Sequence, residues 1–464
     1  MFDHADSIQD KTRRARAAQQ VITDWSQDQV DAVVAAAGWS VWKEAAARSL
    51  AEKAVQETGL GRITDTYERH RLRVWGLLSD LYNQTTCGQF EASPETGIAK
   101  FAQPVGIVAI MIPATAPTAA VACNALNILK TRNAAVFCPN PRAQEVAAET
   151  VQVLRAAIEQ AGAPADLLQI LEVPNRHAAK DLSTQCDLVI ATGGTGVVDR
   201  ARRGPTPALL AGVGNATVLV DDTADVEVAA AEIVRGKSFD NSTSCSAENV
   251  VLVDTRQSRA FMNALQQHGA HLVTDDEALH LDAFLHGAGQ GGRTVAGRSA
   301  VEVAAQAGLD VGPTTTILAV RPDAPASCSS WSAPKLFPVL TIWDVAHFAE
   351  GAEILLQVIQ NCGIGHSCGL FSACADRAAY LAAHIPVGRV MFNQSTGMGN
   401  TGGPHNNMPF TMTLGCGVWG GGLTTDNVSW RHLLNVTTLC QPAKRAMVPP
   451  LDLFETVLDC HCSG

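Results

Sequence analysis

A thiol works as a nucleophile where small polar neighbours let a carbonyl reach it and nearby N–H groups take up the charge that develops on attack. Cys245 stands in such a setting, within Phe239-Asp240-Asn241-Ser242-Thr243-Ser244-Cys245-Ser246-Ala247-Glu248-Asn249. An inert loop cysteine fits the same pattern, so on the residues alone both readings stay open. Cys416, flanked by glycines in Leu414-Gly415-Cys416-Gly417-Val418-Trp419, reads better as part of a close-packed backbone. Many of the remaining cysteines fall in apolar runs.

Three further spellings carry chemistry only in the right structural context. Gly365-His366-Ser367-Cys368-Gly369 matches a serine nucleophile elbow, which needs a strand before it and a helix after it. Here a helix pattern precedes and the strand, Gly369 to Ser372, follows, so the match is set aside. Gly397-Met398-Gly399-Asn400-Thr401-Gly402 spells a dinucleotide fingerprint, but no helix pattern follows to present N–H groups, and it reads as a loop. Gly193-Gly194-Thr195-Gly196 is better placed, because a strand from Asp187 to Ala191 runs into it and helical spacing follows at Val197 and Val198. A tight turn without a ligand fits that site equally well. Cys460-His461-Cys462 lacks the second ligand pair of a structural zinc site and there is no His-Glu-x-x-His, so no metal is expected. Asp221-Asp222 and Asp275-Asp276-Glu277 sit in turn-like or solvated contexts, which argues against glycosidase chemistry.

The elements that must position these residues are legible as periodicity. Helical spacing fills the first ninety or so residues, with Ser26 and Gln29 as a capping box before Val30, Val33 and Val34, and stops near Gly59 and Gly61. From Pro104, short apolar runs alternate with helical stretches, as parallel sheets covered by helices require. A second α/β series is expected to begin near residue 240. Phe101 to Leu129 has no charged residue, yet Pro113, Pro117, Asn124 and Asn127 interrupt it, so a strand, a turn and a buried helix are expected rather than a membrane span. Asn393 to Gly422, rich in glycine, asparagine and threonine, reads as a long functional loop.

With 464 residues, 47% apolar, the chain is long enough for two or three domains with large cores. A net charge of -11 gives no broad basic face, so neither nucleic acid nor an anionic membrane is an expected partner. Thirteen cysteines, an odd number without framework spacing, point to a reducing compartment, and with no signal core the expected location is cytoplasmic.

Four segments, met in order, resemble the CoA-acylating branch of the aldehyde dehydrogenase superfamily over about residues 90 to 440. They are Ala191-Thr192-Gly193-Gly194, Gly212-Val213-Gly214-Asn215, Phe239-Asp240-Asn241 with Cys245 four residues on, and Thr413-Leu414-Gly415-Cys416-Gly417-Val418-Trp419-Gly420-Gly421. The resemblance implies an α/β fold of two doubly wound domains plus a small β oligomerisation element. Residues 1–89 and 104–238 would form the cofactor domain, 239–425 the catalytic domain, and 90–103 with 426–464 the oligomerisation element and tail of a homodimer or homotetramer.

It also implies that Cys245 attacks a short aldehyde, hydride passes to NADP or NAD, and the acyl group leaves on coenzyme A. Hydrolytic relatives carry a general-base glutamate where this chain reads Gly212-Val213-Gly214-Asn215, so transfer to the CoA thiol is favoured. Asn215 of that segment is counted with the catalytic residues, and Thr115 takes the oxyanion-side position, with the Cys245 N–H as its partner. Cofactor contacts map onto Ile112, Pro113, Pro139, Asn140, Arg142, Thr192, Gly193, Gly194, Gly212 and Gly214, with Arg142 able to meet a 2′-phosphate. Two positions depart from the pattern: Pro334 replaces a glutamate that grips the nicotinamide ribose, and Asn140 a common histidine. Within the branch, Lys237 to Ser246 looks closest to acylating sulfoacetaldehyde dehydrogenases, and His405, Asn406, Asn407 and Arg293 are the loop residues expected to meet a sulfonate. An acetaldehyde or propionaldehyde enzyme, a hydrolytic dehydrogenase using Glu248, and a silent binding protein are the alternatives.

Overall fold

The computed structural model describes residues 8–287, 291–322 and 329–443. It opens with four helices, α1 (Ile8–Val21), α2 (Gln27–Trp42), α3 (Glu44–Thr58) and α4 (Ile63–Leu81). The expected capping box starts α2: the Ser26 hydroxyl accepts from Gln29 N and the Gln29 side chain accepts from Ser26 N. Gly59 closes α3 in the left-handed conformation (φ 66°), where a side chain would be strained. The buried stripe of α4 is unusual, because Asp65, Thr66, His70 and Arg73 precede the apolar Val74, Leu77 and Leu81. A helix that buries polar groups along its first turns is facing other polar groups.

The uncharged run becomes β2 (Ile98–Pro104), β3 (Ile107–Ile112), a turn at Pro113, and α5 (Pro117–Lys130), every residue of which is buried. Further units follow: β4 (Ala134–Pro139), α6 (Gln144–Gln160), β5 (Leu168–Ile170), α7 (Arg176–Gln185), β6 (Leu188–Thr192), α8 (Thr195–Arg202) and β7 (Ala208–Ala211). These five strands pair in parallel in the order β5-β4-β3-β6-β7. Chain order reverses between β3 and β6, and crevices at such switch points open outside the carboxyl ends of the strands.

A second parallel sheet has seven strands in the order β10-β11-β12-β9-β8-β13-β14. They are β8 (Ala216–Val220), β9 (Glu248–Asp254), β10 (Ala270–Leu272), β11 (Ile317–Val320), β12 (Val339–Val345), β13 (Gly365–Phe371) and β14 (Val387–Phe392). The helices α9 (Val226–Ser238), α10 (Thr255–Gln267), α11 (Asp275–His286), α12 (Gly291–Thr294), α13 (Ala300–Gln306), α14 (Phe348–Asn361) and α15 (Ala375–His384) lie between them in sequence. A one-turn helix, α16 (Thr396–Gly399), sits inside the glycine-rich stretch read as loop.

Two expectations change. β8 hydrogen-bonds to β9 and β13, and α9 packs on α10, so the catalytic-side sheet takes in residues before 239 that the sequence reading gave to the cofactor domain. Periodicity shows a βα unit but not the sheet it joins. Second, β13 begins at Gly365, so the pentapeptide 365–369 is itself strand. A separate antiparallel sheet, β1-β2-β15, is made by β1 (Gly88–Ser93), β2 and β15 (Leu434–Cys440). Among the described residues no helix is long and apolar enough to cross a membrane, and no group of three metal-ligating side chains occurs. Cys460-His461-Cys462 lies outside the described residues.

Candidate active site

The carboxyl ends of β3, β4 and β6 face the residues that lead into β8, β9 and β12, and a cavity of about 1330 Å³ lies between them. All ten residues expected to contact the cofactor line it: Ile112, Pro113, Pro139, Asn140, Arg142, Thr192, Gly193, Gly194, Gly212 and Gly214. Thr115, Cys245 and Pro334 line it too.

Cys245 follows a strained segment. Asp240, Asn241 and Ser242 all have positive φ (50°, 52° and 64°), a conformation that costs each non-glycine residue of the order of 1–3 kcal/mol. The buried Asp240 carboxylate holds it. One oxygen accepts from Arg62 N (2.7 Å) and Thr66 Oγ1 (3.2 Å), the other from Arg69 Nη1 (2.6 Å) and Thr243 Oγ1 (2.6 Å). Asp65 on α4 accepts from Asp240 N, and Asn241 Nδ2 donates to Gly297 O. The polar stripe of α4 is thus the seat of the Cys245 loop.

His366, which the sequence reading discarded with its motif, completes the pair. From the first turn of β13 its Nε2 lies 3.3 Å from Cys245 Sγ, and its Nδ1 lies 2.9 Å from Ser367 Oγ, which accepts from Asn400 Nδ2. A histidine within an otherwise apolar strand was the signal available. Burial, with the nearby Arg389 charge, pushes His366 down to about 3, and burial pushes the Cys245 thiol up to about 11. The resting pair is therefore neutral thiol and neutral imidazole, and in the tautomer that carries its proton on Nδ1, toward Ser367 Oγ, His366 presents the Nε2 lone pair to the thiol.

Backbone approach is close throughout. A Cβ on Gly214 would stand 2.0 Å from Cys245 O and 2.8 Å from His366 Cε1, so the chain can pack this closely against the nucleophile only with glycine at 214. Asn215, expected to be catalytic, is buried off the cavity wall: its amide donates to Ser332 O and its carbonyl accepts from Asn249 Nδ2. It buttresses the loop rather than touching a reacting atom. Lys335 Nζ donates to Asn249 Oδ1 in the same knot.

His405, Asn406, Asn407 and Arg293 do not line the cavity; Asn406 is tied to Gln394 and Gly399, and the others are exposed. Glycine-rich loops do not reveal from sequence where their polar residues point. Glu248 is buried, accepts from Ser395 Oγ and Gly397 N, and is likewise off the wall, so it is not placed to activate water. Cys416 is buried with Sγ on Leu414 O, the structural role expected of it.

The charge of the wall is one-sided. Arg69, Arg73, Arg142, Arg176, Lys180, Arg200 and Arg203 line the cavity against a single carboxylate, Glu68. In a chain of net charge -11 such a concentration suits a polyanion.

A family model described as "Aldehyde dehydrogenase family" matches residues 3–411. The chain is 37% identical over 441 residues to a sulfoacetaldehyde dehydrogenase (acylating) of Bilophila wadsworthia, covering 94% of this chain and 95% of that one. It is 32% identical over 445 residues to a succinate-semialdehyde dehydrogenase (acetylating) of Clostridium kluyveri, covering 96% and 97%. The crystal structure of an acetylating aldehyde dehydrogenase from Geobacillus thermoglucosidasius superposes with a TM-score of 0.91 at 29% identity, over 95% of this chain and 98% of that one.

Two measurements probe the site. Asp240→Asn leaves Arg69 without its buried counter-charge, and we expect a loss of about 3–5 kcal/mol in urea unfolding; an unchanged midpoint would show that the strained loop holds without the carboxylate. Because the thiol is raised and the imidazole depressed, iodoacetamide labelling of Cys245 should quicken about tenfold per pH unit from neutrality to about pH 9 with no inflection near the ordinary histidine range. A plateau from about pH 6 upward would mean a resident thiolate–imidazolium pair.

Proposed function

The chain belongs to the aldehyde dehydrogenase family, and from that premise we propose that it oxidises a short aldehyde, sulfoacetaldehyde, to the acyl thioester of coenzyme A. The observation that carries the acyl-transfer reading is the neutral His366–Cys245 pair, backed by segment 212–215 with no carboxylate to activate water.

In this reading Cys245 Sγ attacks the aldehyde carbon as its proton passes to His366 Nε2, and the oxyanion is met by the Cys245 N–H and by Thr115, whose own carbonyl is held by Arg69 Nη2. A bound nicotinamide supplies the hydride acceptor. Loss of hydride from the thiohemiacetal carbon leaves a Cys245 thioester. His366 then gives up its first proton to solvent, the thiol of coenzyme A attacks that carbonyl as its proton passes to the vacated Nε2, and the Cys245 thiolate released as its bond breaks takes this second proton back from His366, returning the enzyme thiol and the neutral imidazole.

The dinucleotide, NADP or NAD, fits the switch-point crevice between β3 and β6, with Ile112, Pro113, Pro139, Asn140, Thr192, Gly193, Gly194, Gly212 and Gly214 as its backbone-lined cradle. Arg142, with one N–H on Thr58 O, and the rim cations Arg176, Lys180, Arg200 and Arg203 would meet its phosphates or those of coenzyme A. We place assembly into a homodimer or homotetramer on the β1-β2-β15 sheet, where Val436 and Leu439 are about half exposed. Ten unpaired cysteines among the described residues fit a reducing cytoplasm.

Nicotinamide reduction should therefore require both aldehyde and coenzyme A and fall by about 10⁶-fold in Cys245→Ala, the order seen when a covalent nucleophile is removed. Free acid formed at full rate without coenzyme A would move the reading to a hydrolytic dehydrogenase.

A further inference from the structure

Arg73 is buried to 5% exposure in α4, yet it opens on the same cavity wall as Cys245. Its Nη1 donates to Thr401 O (3.1 Å) and Gly402 O and its Nη2 to Met398 O (3.5 Å), all neutral carbonyls. Asp80, two turns along the helix, is engaged by Phe410 N, and among the described residues no carboxylate forms an ion pair with Arg73. One turn before it, Arg69 is paired with Asp240, but its buried Nε has no partner. Arg69 and Arg73 thus stand one turn apart on α4, and of the two only Arg69 is paired with a carboxylate among the described residues. An uncompensated buried cation is costly unless something supplies the missing charge, and burial holds Arg73 down at about 10. Arg69 touches Thr243 and Thr115, while Arg73 holds the carbonyls of Met398 and Thr401, which line the cavity, so the surplus charge lies along the wall between the nucleophile loop and the 398–402 turn.

We infer that Arg73 is the receptor for an oxyanion carried at the far end of the aldehyde, the sulfonate of the substrate proposed above. This rests on the acyl-transfer reading for its substrate, and it replaces the loop residues His405, Asn406, Asn407 and Arg293 as the specificity element. A carboxylate would present the same chemistry to a guanidinium, so the two sources are separated by experiment.

The test compares wild type, Arg73→Met and Arg73→Lys in CoA-dependent turnover of sulfoacetaldehyde, succinate semialdehyde and propionaldehyde. The ratio of kcat/KM for sulfoacetaldehyde to that for propionaldehyde should fall on the order of 100-fold in Arg73→Met, the scale of discrimination lost when a charged contact is removed, with partial recovery in Arg73→Lys. A fall in the succinate semialdehyde ratio alone would assign the site to carboxylates. An equal fall for all three aldehydes would make Arg73 a staple for the 398–402 turn and overturn the inference. Should Arg73→Met not fold, the wild type decides: ethanesulfonate should slow iodoacetamide labelling of Cys245 where ethanol does not, and no protection by ethanesulfonate or propionate overturns the receptor. Protection without CoA-dependent turnover of any aldehyde would leave the receptor standing and overturn the acyl-transfer reading instead.

Discussion

A single carboxylate, Asp240, sets the geometry on which the site depends. Three successive residues before the nucleophile adopt a backbone conformation that none of them favours, and no glycine relieves it. What holds them is a set of four charge-assisted or hydroxyl hydrogen bonds to one buried acid, two of them from side chains of α4. The last of the four opening helices, α4, therefore reaches across to shape a loop of the other half. Gly61 turns the chain tightly enough (φ 76°) to bring its neighbours against Asp240; a Cβ there would lie 2.1 Å from the carboxylate.

The same economy of space governs the far side of the nucleophile. Segment 212–215 links the last strand of one sheet to the first of the other, and it passes so near Cys245 and His366 that only glycine fits at 214. Gly365, at φ 80°, has Cys416 O within 2.1 Å of where its Cβ would lie, which brings the start of β13 and hence His366 against the loop. The site is thus assembled at the seam between two sheets, where the carboxyl ends of one set of strands face the amino ends of the other.

Much of the frame was legible. The capping box of α2, the uncharged run that became β3 and α5, and the alternation of strands and helices follow from period and caps, which are local properties. So did the loop around Cys245 and the glycine turn at the end of β6. What escaped was relational. That β8 belongs with β9 rather than β7 is a matter of pairing partners, and His366 hid inside a pentapeptide tested for its serine. Asn215 lay beside the right glycines but points into the packing, and His405 and Asn407 are polar residues in a loop whose direction only the fold decides. Arg73 carried no sequence signal at all, since an arginine on an amphipathic helix is usually a solvated one.

The depressed imidazole and raised thiol of the resting pair bear on the durability of the enzyme. Peroxide attacks thiolates, and the climb from sulfenic to irreversible sulfinic acid begins only from that form. A nucleophile stored as a thiol at about 11 presents almost no thiolate to an oxidant at neutral pH, while a base 3.3 Å away stands ready when a carbonyl arrives. Cys245 is in this sense sheathed between turnovers by its bound proton rather than by its position, since it is only partly buried on the cavity wall.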